Sequence, residues 1–296
     1  MILPSPVNPG DTIGVIAPAS PFDVERYREG IEVLKKEGFN IKEGENIFQK
    51  NDYLAGDVRQ RLIDLETLYE DESVKAIMAI RGGYGSMHLL PYLREEDFKK
   101  NPRLFIGSSD LTALHLFFNF RVGIVTLYGP MVDGDFGVAE DETNMRVLKK
   151  IMALPDEYEY PVGDLLIAHH GRGEGILVGG CLSLIVSLIG TPFEPDFDEK
   201  IVFLEDVNEP LYRWDRMLTQ LVLSGKLNKA RGLIITMAGY NSYEANDFIS
   251  KFFKGWNIPI VTNFPAGHTV PFFTLPFGYM AEIDTLNRVF RVWKTT

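Results

Sequence analysis

Apolar residues over the first 130 positions come in two alternating patterns. Short, largely apolar runs occupy residues 12–17, 74–80, 104–106 and 123–128. Between them lie stripes spaced by three and four, Val24, Tyr27, Ile31 and Leu34, then Val58, Leu62, Leu65 and Tyr69. Runs this short predict strands buried on both faces, and the stripes predict helices with one face turned inward. Gly38 is a C-terminal stop for the first helix and Asp57 a cap for the second, with residues 40–48 a candidate second strand. Strands alternating with helices imply βαβ units, a parallel sheet and the α/β class. In such sheets the loops beyond the carboxyl ends of the strands form the binding crevice. Ser20, the glycine-rich residues 81–85, Ser109 and Gly129 all fall at those ends.

The second half is patterned differently. Residues 133–173 are charged and irregular apart from a helical stretch at 144–152, and read as a surface helix and a linker. Strands are predicted at 175–178, 201–204, 232–237 and 258–262, and helices at 182–189, from Pro210 to Gly225, and at 243–253. The tail, 278–293, alternates as one or two antiparallel strands would. Residues 175–193 run nineteen positions without a charge, the length of a membrane span. Four glycines and a proline interrupt that run, and no aromatic or basic anchors flank it, so a buried strand and a short buried helix are expected instead.

With 296 residues, 45% of them hydrophobic and 24% charged, the chain can bury a core of one large or two medium domains. A net charge of −11 argues against a nucleic-acid partner, which needs a clustered basic face, and leaves small substrates open. The one cysteine, Cys181, rules out an intrachain disulfide and fits a reducing compartment. No basic segment followed by an apolar one opens the chain, so a cytoplasmic location is the expectation.

Candidate chemistry gathers at Leu104-Phe105-Ile106-Gly107-Ser108-Ser109-Asp110-Leu111-Thr112, a strand, a sharp polar turn, and a helix predicted to run to about Asn119. A hydroxyl on such a turn is exposed and close to helix N-terminal amides, as an acyl-transfer nucleophile requires. Ser and Asp are also ordinary helix caps, and plain capping accounts for the same residues. Of five histidines, His88 and His115 fall in helical stretches and His169-His170 in the charged linker. His268 follows a strand inside Phe264-Pro265-Ala266-Gly267-His268, a fixed irregular loop, where a base or a merely structural histidine could sit. Glu205, at a strand end, could orient an imidazole, with Asp206 and Glu209 competing for the role. No metal-ligand spacing occurs, and Gly82-Gly83-Tyr84-Gly85 matches neither GxGxxG nor a Walker loop, so no metal and no cofactor are expected. Those glycines could instead bring backbone N–H groups to a developing oxyanion. Serine, acid and histidine follow the α/β-hydrolase order, but the turn lacks the second glycine of GxSxG, which argues against that fold.

Taken together, these segments resemble the LD-carboxypeptidase family of serine peptidases, which includes murein tetrapeptide carboxypeptidases and microcin C immunity peptidases. The resemblance rests on seven blocks in the family's order: Gly10-Asp11-Thr12 with Ala17-Pro18-Ala19-Ser20, Arg81-Gly82-Gly83-Tyr84-Gly85, Gly107-Ser108-Ser109-Asp110, Tyr128-Gly129-Pro130, Gly179-Gly180-Cys181-Leu182-Ser183, Leu204-Glu205-Asp206, and the Gly267-His268 segment. It implies Ser109, rather than Ser108, as nucleophile, His268 as base and Glu205 as orienting acid, with the backbone N–H groups of Asp110 and Gly83 as oxyanion hole. Cys181 departs from the pattern, where an asparagine is expected. The implied fold is an N-terminal Rossmann-like domain, 1–160, and a C-terminal β-rich domain, 161–296, with the site between them. The implied substrate is a peptidoglycan-derived tetrapeptide losing its terminal D-alanine, with Arg81 a candidate reader of the free carboxylate. Assembly as a homodimer is a further expectation. The runner-up is an immunity-type hydrolase of acyl-nucleotide amides, although the continuous run 204–218 looks more like the tetrapeptide branch. A muropeptide-binding protein without turnover is a third reading, against which the intact Ser109, Glu205 and His268 argue.

Overall fold

The computed structural model describes residues 1–136, 142–163 and 165–295. Its first half is built by the predicted alternation. Strands β1 (Thr12–Ile16), β2 (Asn40–Glu43), β3 (Val74–Ala79), β4 (Leu104–Gly107) and β5 (Thr126–Tyr128) form a parallel array in the order β5-β4-β3-β1-β2. The helices Val24–Lys36 and Val58–Glu70 begin where caps are available. Asp23 accepts the N–H groups of Glu25 and Arg26, and Asp57 forms a reciprocal capping box with Gln60. The second strand is shorter than expected and stops at Glu43. Beyond it the chain turns away, held by Asp64, whose carboxylate accepts both the backbone and the side-chain N–H of Asn46.

The helix after Ser109 is not uniform. It opens as a 3-10 turn over Ser109–Leu111, is α-helical over Thr112–Leu116, and widens to π turns over Phe117–Val122 before Gly123 ends it. It therefore runs a little past the expected end near Asn119.

The second half adds β6 (Glu157–Glu159), β7 (Leu166–His169), β8 (Arg172–Cys181), β9 (Lys200–Val207), β10 (Gly232–Ala238), β11 (Ile260–Thr262), β12 (Leu275–Phe277), β13 (Met280–Asp284) and β14 (Val289–Trp293). Eight of these make a mixed sheet, β6-β14-β13-β8-β9-β10-β11-β7, whose four inner strands β8 to β11 are parallel. The remaining strand, β12, leaves that sheet and pairs antiparallel with β5 on the edge of the first. The stretch 133–173 is thus more than a surface helix and a linker. The helix Glu142–Met152 buries Met145, Leu148 and Ile151, and β6 and β7 form the two edges of the large sheet. The edge strand β6 carries no apolar run to announce it, because its order comes from the partner strand, and β7 offers only the short run Leu166-Ile167-Ala168 inside a charged stretch. Residues 137–141 and 164 of that stretch lie outside the described residues. The uncharged run 175–193 is the end of β8 plus the helix Leu182–Leu188, and among the described residues no helix is long and apolar enough to cross a membrane.

The two sheets share their cores. Leu111, Leu114 and Phe118 pack in one buried cluster with Val178, Leu182, Leu204 and Trp214. Ile106, Leu127 and Tyr128 belong to the other, with Leu177, Phe203 and Phe277. Each such buried side chain contributes about 1.5–3 kcal/mol, so the seam between the sheets is held as firmly as either interior. The turn carrying Ser109 sits on that seam, where Thr112 Oγ1 accepts the N–H of Cys181 at 2.8 Å.

Candidate active site

Ser109 stands at the carboxyl end of β4 with φ +58°, a left-handed conformation that costs a non-glycine residue about 1–3 kcal/mol. That backbone turns its hydroxyl outward: Ser109 is half-buried and lines an open cleft, whereas Ser108 is buried. The turn is fastened from several sides. Ser109 N–H donates to Tyr128 Oη at 2.9 Å, and Leu111 N–H to the Ser108 carbonyl at 3.1 Å. Asp110 is buried, with Oδ2 accepting Ser86 N–H at 2.8 Å and its carbonyl accepting Ser86 Oγ at 2.6 Å. Burial raises the Asp110 pKa, against hydrogen bonds from Ser86 and Gly85 and the charge of Arg61. Arg61 is itself buried and donates to the carbonyls of Pro18 and Gly85, at 2.7 and 2.8 Å. Ser86 and Arg61 thereby tie the glycine-rich loop to the turn.

Glu205 lies inside β9, fully buried rather than at a solvated strand end. Its Oε2 accepts His268 Nδ1 at 2.8 Å and its Oε1 accepts the Tyr128 hydroxyl at 2.5 Å. The competing acids are engaged elsewhere. Asp206 Oδ2 accepts Ser183 N–H at 2.9 Å, and Glu209 pairs with Arg213 at 2.8 Å. Gly267 explains how the imidazole can come so close. It has φ +83°, and a Cβ there would stand 2.6 Å from the Glu205 carboxyl group. Burial lowers the pKa of His268, but the hydrogen bond and charge of Glu205, with the charges of Asp206 and Asp135, outweigh it and the net shift is upward. With Nδ1 donating to the carboxylate, Nε2 is the imidazole atom left for a proton.

Ser109 and His268 line the same cleft, of about 320 Å³, together with Arg26, Arg81, Gly82, Gly83, Met131 and the acidic segment Asp133 to Asp135. Gly82 presses against Ser109: a Cβ there would be 3.3 Å from Ser109 Oγ and from Asp110 N. Gly83, with φ +97°, turns the loop over Ser20. Arg81 is half-exposed, donates to the Pro21 carbonyl at 3.2 Å and lies 3.9 Å from Asp133. A hydroxyl turned to a cleft, a carboxylate-held imidazole and a glycine-rich loop lining the same cleft are components that acyl transfer through a serine requires.

Residues 13–129 match the LD-carboxypeptidase N-terminal domain and residues 174–283 the LD-carboxypeptidase C-terminal domain. The chain belongs to the LD-carboxypeptidase family. It is similar to the probable murein peptide carboxypeptidase of Bacillus subtilis (strain 168), with 33% identity over 297 residues, covering 96% of this chain and 92% of that one. The Microcin C7 self-immunity protein MccF of Escherichia coli is 26% identical over 325 residues, 97% of this chain and 94% of that one. A structure of MccF in the wild-type apo state superposes with a TM-score of 0.92 at 25% identity, covering 100% of this chain and 99% of that one. The muramoyltetrapeptide carboxypeptidase from Oxalobacter formigenes superposes with a TM-score of 0.84 at 27% identity over 96% of this chain and 100% of that one.

The mixed α/β architecture with two sheets is the fold of this LD-carboxypeptidase family. Of the residues singled out in the sequence, Ser109, His268, Gly83 and Arg81 line the cleft, and Glu205 and Asp110 lie directly behind it. His115 is excluded from the cleft and fully buried, with Nε2 on the Gly107 carbonyl and Nδ1 on Thr126, and burial takes its pKa down to about 4. Cys181 does not line the cleft either. It is buried with Sγ 3.2 Å from Ser183 Oγ and 3.5 Å from Asp206 Oδ2. Two cleft residues, Arg26 and Asp135, gave no signal in the sequence, the first lying on a helix and the second in an irregular stretch. Asp135 Oδ2 accepts Met131 N–H at 2.7 Å, and burial raises its pKa to about 6.

Proposed function

We propose that the chain is a serine LD-carboxypeptidase that removes the terminal D-alanine from murein tetrapeptides through an acyl-enzyme on Ser109. The observation that carries this reading is the continuous hydrogen-bonded chain from His268 through Glu205 and Tyr128 to the backbone of Ser109, behind a cleft that both Ser109 and His268 line. His268 Nε2 takes the proton of the Ser109 hydroxyl as Oγ attacks the scissile carbonyl, and Glu205 holds the imidazole and stabilises its charge. The N–H groups of Asp110 and Gly83 receive the oxyanion, one such donor being worth about 3 kcal/mol. His268 then returns the proton to the departing amine, and water hydrolyses the acyl-enzyme by the same route in reverse. An exopeptidase must also read a free carboxylate, and Arg81, with Arg26 on the same wall, supplies guanidinium groups for it. In this reading the nucleophile belongs to a unit ending near residue 160 and the acid and base to the remainder, and the enzyme works in the cytoplasm as a homodimer on peptides released from the cell wall.

The likeness to MccF, at a TM-score of 0.92, favours a second reading, hydrolysis of an acyl-nucleotide amide by the same residues. The purified protein and a Ser109→Ala variant, each incubated with an L-Ala-D-Glu-diamino acid-D-Ala tetrapeptide, are assayed for free D-alanine. Release by the wild type alone is expected. Release by neither moves the case to acyl-nucleotide amides, and release by both removes Ser109 from the mechanism.

A further inference from the structure

Tyr128 closes β5, with its ring fully buried between the two sheets. Its ring centroid lies 5.2 Å from that of Phe277, 5.6 Å from Phe203 and 5.5 Å from His115, so aromatic packing fixes the ring whatever the hydroxyl does. The hydroxyl meets two groups the reaction needs. It is 2.9 Å from Ser109 N and 2.5 Å from Glu205 Oε1. The proton's place follows from the partners. A backbone N–H can only donate, so the phenol oxygen accepts from Ser109 and must give its own proton to the carboxylate.

We infer that the Tyr128 hydroxyl is a positioning group that locks the Glu205 carboxylate and the Ser109 backbone to each other through one shared oxygen atom. The inference rests on Ser109, Glu205 and His268 being the reacting set. Each Glu205 oxygen then has its own partner, Tyr128 on Oε1 and His268 on Oε2. The carboxylate cannot rotate toward one without leaving the other, and no water replaces either contact at a fully buried group. On the other side, the hydroxyl anchors the amide of a residue held at φ +58°, and so keeps the nucleophile in its left-handed turn. A further consequence concerns the oxyanion. The N–H of Ser109 is committed to Tyr128, so the donors to a tetrahedral intermediate come from the neighbouring amides of Asp110 and the glycine-rich loop. Burial, then the charge of Glu205, hold the phenol's pKa well above its ordinary value, which keeps the donor proton in place.

The hydroxyl's loss has a pH signature. Without the donor on Oε1, the Glu205–His268 pair binds its proton more tightly, and the acid limb of the activity moves to higher pH. The other groups facing the pair are Asp206 and Asp135 beside His268, Asp133 beside Asp135, and Cys181 and His115 beside Tyr128. Burial pushes the Asp135 carboxyl up to about 6, takes the His115 imidazole down to about 4, and pushes the Cys181 thiol well up. None of them is itself altered by substitution at Tyr128, and Asp135 and Cys181, which feel the charge of Glu205, follow the pair, so the difference between two profiles reports the pair and the groups coupled to it.

The test compares wild type, Tyr128→Phe, and protein carrying 3,5-difluorotyrosine at 128, a more acidic phenol and a stronger donor. Two rates are followed from about pH 5 to about pH 9: tetrapeptide turnover, and labelling of Ser109 by a fluorophosphonate, which needs no peptide recognition. In Tyr128→Phe, kcat is expected to fall about 10- to 100-fold with KM within about threefold, as for a lost hydrogen bond to a charged group. The acid limb of both rates is expected to rise by about one pH unit in Tyr128→Phe and to fall in the difluorotyrosine protein. A Tyr128→Phe protein with unchanged limb and labelling rate overturns the proposal, since the ring alone was then sufficient. If Tyr128→Phe does not fold, the difluorotyrosine protein decides, and an unshifted limb there overturns it. Wild type that labels at Ser109 without releasing D-alanine overturns the substrate assignment and leaves the Tyr128 test standing on labelling. Wild type that does not label at Ser109 overturns both.

Discussion

Gly82→Ala is the smallest substitution that should silence the site while leaving the fold intact. A Cβ at position 82 would stand 3.0 Å from Ser109 Cβ and 3.3 Å from both Ser109 Oγ and Asp110 N. Gly82 is outside the left-handed region in which an alanine is strained, so only these contacts oppose the methyl group. They lie a few tenths of an ångström inside the usual carbon contact distance of about 3.5–4.0 Å, and the exposed Gly83 next in the loop leaves room to yield. Gly→Ala also restricts the unfolded chain, a gain of about 0.4–1 kcal/mol, so net stability should stay within about 1 kcal/mol of wild type. Catalysis has no such slack. A developing oxyanion must come within about 3 Å of the Asp110 N–H, and the methyl fills the space between that N–H and the serine oxygen. Loss of one oxyanion donor costs about 2.7–4 kcal/mol of transition-state stabilisation, or 10²- to 10³-fold in kcat. The assay is tetrapeptide turnover beside thermal melting and fluorophosphonate labelling. Activity within about threefold of wild type would refute the placement of the oxyanion at this amide. A loss of activity matched by a collapse of the melting temperature would refute the claim that the loop yields.

Two further outcomes are expected. His268 has a raised pKa, and the base of the proposed mechanism works only when neutral, so kcat/KM should fall as pH drops through a value above the ordinary 6.5, and a limb at or below 6.5 in a pH-rate profile contradicts the Glu205 contact. The same shift acts oppositely on folding: its stabilisation is full below the unfolded value and is lost as pH rises through the folded one. Arg61→Ala should cost about 1–3 kcal/mol in urea unfolding, because it leaves the Pro18 and Gly85 carbonyls buried without their donors. A cost below about 1 kcal/mol would show that the glycine-rich loop is not held through Arg61.

Much of this organisation is legible in the chain before any coordinates. Four of the five parallel strands, β1, β3, β4 and β5, announce themselves as buried apolar runs, whereas the edge strand β2 is mostly exposed and polar, and Ser20, Ser109, Gly129 and the glycine-rich loop fall at strand carboxyl ends by the topology of the sheet. What escapes is whatever takes its order from a distant partner. The edge strand β6, Glu157–Glu159, has too few apolar residues to be seen alone, and the short apolar run of β7, Leu166 to Ala168, is lost in the charged stretch around it. The strand β12, so near the C-terminus, crosses back to the first sheet through its pairing with Thr126–Tyr128. Arg26 and Asp135 reach the cleft from elements that carry no local mark of a site.

The acid shows most clearly why sequence order stops short. Glu205 and Asp206 are adjacent on β9, and in a strand adjacent side chains point to opposite faces. One face carries Tyr128 and His268, the other the loop at Cys181 to Ser183, so a shift of register by one residue would exchange the two carboxylates completely. Nothing in Leu204-Glu205-Asp206 records that choice. It is made by pairing along β8 and β10, which sets Cys181 opposite Glu205 and Thr236 on its other side. The register is fixed in turn by burial of Phe203 against Tyr128 and Phe277 and of Leu204 in the core shared with Trp214. The position of Glu205 is therefore a property of the two apolar residues before it: disturbing their packing should reach the His268 imidazole through the strand, without touching any group in the cleft.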